Sequence, residues 1–160
     1  MEGWDTFAVI VGGAGGALVG LLFVAISVHA TRIAASADLQ SRAAQTLAAF
    51  GTLLLMAIVL AIPNQPERVV GAELLTLAAL ASVLLLLLDR RAGLAGIASA
   101  LGGALNHVNP NISTVVGLAL TGGLLLSEVH WAPYVLVPTA CIAIIGGLAS
   151  AWLLLTKLTD

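Results

Sequence analysis

The chain has 160 residues, of which 60% are hydrophobic and only 9% charged, with a formal net charge of −2. Soluble domains carry roughly 25% charged residues, so this composition, with a mean hydropathy of +1.10, excludes an ordinary soluble domain and points to one all-α integral membrane domain over residues 1–160. No basic cluster is present, so no nucleic-acid partner is expected, and the single cysteine, Cys141, cannot form an intrachain disulfide.

The first predicted span runs from Phe7 to Ala30 and contains no charged residue. Glu2 and Asp5 make its approach acidic rather than basic, and the run is long enough to cross a bilayer, so a cleavable signal peptide is not expected. Gly12, Gly16 and Gly20 recur every fourth residue, with Ala8 on the same ladder. Residues four apart share a helix face, and small side chains let two backbones approach closely in lipid. The ladder is therefore expected to be a helix-packing or oligomer interface, with the inner wall of a narrow pore as the sharper alternative. Trp4 precedes the span at the headgroup level that aromatic rings favour.

A polar connector from Arg32 to Arg42 leads to a second span, Ala43 to Ile62, which Pro63-Asn64-Gln65-Pro66 ends. The third span runs from Val69 to Leu88 and stops at Asp89-Arg90-Arg91. Glu73 falls early in this helix, where the dipole favours an anion. Ala92 to His107 carries Leu94, Ile97, Leu101 and Leu105 at helical spacing. At 16 residues, ~24 Å of helix, it is short for a crossing and reads as one interfacial helix; a re-entrant segment or a sixth span is the alternative. Asn109 is a good N-cap and Pro110 a good first residue for a fourth span ending near Ser127. The fifth runs from Pro133 to Leu155, with Pro138 expected to kink it near its start.

With five spans, Arg32, Arg42, Arg90, Arg91 and Lys157 share one side and Arg68 takes the other. The positive-inside rule then places the N-terminus outside and the C-terminus in the cytoplasm; six spans weaken the split to four against two.

Titratable groups deep in a span mark transport or catalysis. Here His29, Glu73 and Glu128 all lie near span ends, and no Gly-Xaa-Ser-Xaa-Gly, paired membrane aspartate or His-Glu-Xaa-Xaa-His pattern occurs. No catalytic residue, cofactor or metal is therefore expected. The polar residues left as a candidate ion site are Glu73, Asn109, Asn111, Glu128 and His130. Asn109-Pro110-Asn111 has the form of the Asn-Pro turns of water and glycerol channels, but one copy stands here where that architecture uses two. A capped helix start is the plainer reading. Asp5, Glu67, Glu73, Glu128 and His130 fall on one side but in four separate regions, so only the fold can join them. Thr52, Thr76, Ser82, Thr121 and Ser150 are mild polar positions that can bond within a helix or across to another.

Trp4-Xaa-Xaa-Phe7, the glycine-rich run into Gly20-Leu21-Leu22-Phe23-Val24-Ala25-Xaa-Ser27, and the closing Ala151-Trp152-Leu153-Leu154-Leu155 resemble small multi-pass bacterial membrane proteins of unknown function. Some members of that group carry a label as modulators of a membrane-anchored AAA protease. The resemblance implies the bacterial inner membrane and brings no catalytic residue. The expected function is a non-enzymatic oligomeric subunit, structural or regulatory, acting on other membrane proteins. The alternative is a homo-oligomeric channel with a Gly/Ser/Thr-lined pore. Self-association is expected through Gly12, Gly16 and Gly20, with Ala143-Gly147-Ala151 on the fifth span as their mate.

Overall fold

The computed structural model describes residues 3–91 and 110–159, and every regular element in them is helical. In chain order these are α1 (Asp5–Val28), α2 (Ala30–Ala34), α3 (Ala37–Ala61), α4 (Glu67–Arg91), α5 (Pro110–Leu126), a 3-10 turn (Ala132–Val135) and α6 (Leu136–Thr159). Four stretches are long and apolar enough to cross a membrane: Asp5–Val28, Leu39–Ala61, Glu67–Leu88 and Ala132–Leu153. The fifth apolar helix is shorter, 17 residues in α5, or ~25 Å. Asn109 and the expected interfacial helix Ala92 to His107 lie outside the described residues.

The sequence boundaries hold for α1, α4 and α5 to within a few residues, and those of α3 and α6 differ for local reasons. α1 closes at His29, whose backbone N–H donates to the Ala25 carbonyl at 3.3 Å while its ring Nδ1 lies 3.1 Å from the same oxygen. α2 continues the chain for barely more than a turn and turns Ile33 inward. The polar connector is mostly helical. Ser36 caps α3, its hydroxyl accepting from the Leu39 N–H at 3.4 Å, so α3 starts before the apolar run begins. At Pro138 the irregularity takes the form of the 3-10 turn that ends at Val135. A proline cannot donate to the carbonyl four residues back, here Tyr134, so regular α-helix starts just past that point.

α3 is the hub. It packs against α1, α4 and α6, while α5 closes the far side by packing against α4 and α6. α3 to α6 thus form a four-helix bundle, and α1 leans on its outside along α3. Half of the α3 apolar window is buried inside the chain, against 17% for α1. Phe50, Leu53, Met56, Leu74, Leu118, Leu125 and Leu136 fill the centre. Neighbouring helices run in opposite directions. Trp4 meets Tyr134 edge to face at 5.4 Å, and Arg68 meets Glu128, so the starts of α1, α4 and α6 and the end of α5 share one end of the bundle. At the other end the Ser41 hydroxyl, on the first turns of α3, donates to the Leu88 carbonyl of α4 at 3.4 Å.

Glycines set the helix spacing. Gly71 on α4 and Gly122 on α5 face each other so closely that a Cβ on Gly71 would lie 2.9 Å from the Gly122 carbonyl oxygen, and one on Gly122 2.7 Å from that of Gly71. Gly117 of α5 receives the Thr139 side chain of α6, and Gly147 of α6 receives the ring of Phe50 on α3. The first pair lets two backbones pass and the other two make room for a side chain of the next helix, the small-residue packing expected where no hydrophobic transfer drives helices together.

Candidate functional site

Three places gather the residues that the sequence singled out. The first is the bundle end shared by α4 and the α5–α6 connector. Arg68 Nη2 donates to Glu128 Oε1 at 2.6 Å, and His130 Nδ1 lies 3.5 Å from Glu67 Oε2. Consecutive residues at the start of α4 therefore grip two residues of the connector. Glu73 sits one turn further on and accepts from the Gln65 amide Nε2 through both oxygens, at 3.2 and 3.3 Å. The fold pairs Glu67 with His130 and Glu128 with Arg68, and leaves Glu73 with Gln65; among the described residues no hydrogen bond or ion pair ties Asp5 to any of them. The Arg68 and Glu128 side chains are 69% and 65% exposed. Water competes with such a pair, which fits a latch between helix ends better than a desolvated ion site. No group of three or more His, Cys, Asp or Glu among the described residues is placed to hold a metal.

The second place is a small cavity between α3, α4 and α5, at the bundle end opposite the latch. Ala48, Ala49 and Thr52 of α3, Ala81 and Leu85 of α4, and Asn111, Thr114 and Val115 of α5 line it. Its volume is about 10 Å³, the minimum that one water needs. Thr52 spends its proton on its own helix, donating to the Ala48 carbonyl at 2.8 Å. Asn111 reaches this cavity in the first turn of α5, as a helix start would place it.

Four further hydroxyls do the same. Thr76, Ser82, Thr121 and Thr139 donate to the carbonyls of Ala72, Ala78, Gly117 and Val135, at 2.7 to 2.8 Å. All are four residues back on the same helix, so these protons are not presented to a solute or a neighbouring helix.

The third place is α1. Its ladder divides between two faces. Gly12 faces α3, where a Cβ would meet the Ala57 Cβ at 3.2 Å. Gly15, off the ladder, is the buried glycine of this seam; a Cβ there would lie 3.8 Å from the Leu53 Cβ. Gly16 and Gly20 turn outward, with nothing within 4 Å of a Cβ at either, and Gly13 is open in the same way. Val9, Ile10, Leu21, Phe23 and Val24 are exposed around them. Ala143 and Gly147 face the core and Phe50, so Gly147 serves a seam between α3 and α6 inside the chain.

Comparison with protein-family models, with curated proteins and with solved structures finds no match to this chain. The physical arrangement of these three places is therefore what the functional reading rests on. Sequence reasoning passed over Gly15, Gly71, Gly117 and Gly122, each isolated from any ladder that faces its partner. It also passed over Gln65 and Arg68, which complete the polar end.

Proposed function

We propose that the chain is a non-enzymatic, multi-pass subunit of a bacterial inner membrane that associates sideways with its own copies and with other membrane proteins, in a structural or regulatory role. The observation that carries this reading is the position of α1. It leans on the outside of a bundle that closes without it, and its outward face combines open glycines with large apolar side chains. Such a face suits close helix packing in lipid, where small residues admit a neighbouring backbone.

Five crossings are part of the proposal, with the N-terminus outside and the C-terminus cytoplasmic. The pairing of Arg68 with Glu128 supports it, because it puts the end of α5 at the bundle end where α4 begins. That leaves Arg32, Arg42, Arg90, Arg91 and Lys157 on one side of the membrane, as the positive-inside rule favours. α5 spans with fewer residues than its neighbours, which the bilayer can accommodate by local thinning.

The channel reading places its pore between subunits, since the small cavity between α3, α4 and α5 has a volume of only about 10 Å³. Native mass spectrometry in mild detergent, with Gly16→Leu beside the unchanged chain, tests association. A multimer that Gly16→Leu dissociates is expected, and a monomer in both overturns the reading. Planar-bilayer recording separates the two functions: the subunit reading expects no conductance above background, and a unitary conductance abolished by Gly16→Leu would favour the channel.

A further inference from the structure

We draw no further inference here: the strongest candidate outside the face already described, the small cavity between α3, α4 and α5 beside Thr52, Asn111 and Thr114, carries nothing because its walls are mostly alanine, valine and leucine methyl groups, its volume is about that of a single water, and nothing in the structure shows what fills it.

Discussion

Arg68 at the start of α4 holds Glu128 at 2.6 Å, and Glu128 occupies the left-handed backbone region, with φ of 59°. The two facts belong together. α5 ends in a Schellman-type turn: the Glu128 N–H donates to the Leu125 carbonyl at 3.1 Å and the Val129 N–H to the Leu124 carbonyl at 3.0 Å. Glycine is the usual residue there, because a Cβ in this conformation costs about 1–2 kcal/mol. An exposed ion pair returns about 0–1 kcal/mol. Glu128→Gly is therefore expected to leave thermal stability in detergent equal to the parent's or to raise it by up to about 2 kcal/mol, since relief of the backbone matches or outweighs loss of the pair. Glu128→Val, which puts a branched Cβ in the left-handed region and loses the pair, should cost about 1–2 kcal/mol. Equal losses from the two variants would mean that the pair, not the backbone, decides the turn.

The seam between α4 and α5 is the most demanding contact in the bundle. A methyl group on Gly71 or Gly122 meets a backbone carbonyl at 2.9 or 2.7 Å, and a backbone oxygen cannot swing aside as a side chain can. Gly71→Ala and Gly122→Ala should each lower stability by about 1–3 kcal/mol, the usual cost of overpacking. Gly20→Ala is the control. Its Cβ enters open space, and a helix gains up to about 1 kcal/mol from replacing glycine by alanine. Thermal unfolding of the three variants in one detergent should separate the first two from the third. A Gly71→Ala protein as stable as Gly20→Ala would show that α4 and α5 lie further apart than described.

The contrast between these glycines explains how much the sequence discloses. Long apolar runs, ended by Pro63 or Asp89-Arg90-Arg91 or opened by Pro110, locate helices, because hydropathy and backbone chemistry are local. Which side of a helix meets a neighbour is not local. α1 is apolar all round, so no polar face fixes its rotation. The four-residue spacing of Gly12, Gly16 and Gly20 marks a common edge but not what that edge touches, and α3 lies between Gly12 and Gly15 instead. Gly71 and Gly122 each look like a lone weak point in a helix until the fold brings them together. The same holds for Arg68 and Glu128, which are 60 residues apart in the chain. Ser36 is a different case: the polar residues around it read as a connector, yet its hydroxyl caps a helix that continues through them.

Phe50 and Gly147 form the third test. The ring is 1% exposed, and a Cβ at Gly147 would press on its edge, with the ring Cζ at 2.7 Å. Gly147→Ala should cost about 1–3 kcal/mol because the ring has no room to turn away. Phe50→Leu alone leaves space and should also destabilise. The double variant should be more stable than the sum of the two single effects predicts, since the new methyl group enters space that the smaller side chain vacates. Additive losses in thermal unfolding would show that Gly147 and Phe50 do not share this space.

Sidedness gives a fourth test. In a Cys141→Ser background, Asn64→Cys and His130→Cys should react with an impermeant thiol reagent from outside intact cells. Gln40→Cys and Lys157→Cys should react only after the cells are opened. Asn64 and His130 lie near the two halves of the Arg68–Glu128 latch, so opposite labelling of those two sites would place the latch residues across the membrane from each other and remove the five-crossing arrangement.

The last prediction uses the two faces of α1. A Cβ at Gly15 would lie 3.8 Å from the Leu53 Cβ, close to the mean separation of about 3.8 Å in disulfides. Gly15→Cys with Leu53→Cys, again in a Cys141→Ser background, should close within one chain on mild oxidation and shift a single monomer band on a non-reducing gel. Gly16→Cys alone has no side chain within 4 Å of its Cβ among the described residues of its own chain. If α1 packs on the α1 of a second copy, that variant should form a disulfide-linked dimer in membranes, and diluting the protein with excess lipid should not abolish it. If α1 instead meets only lipid or a different protein, Gly16→Cys stays monomeric while the Gly15–Leu53 pair still closes. That pattern would keep the helix arrangement and overturn self-association through the outward glycines. The intrachain pair thus checks the seam with α3 independently of whatever covers the other face.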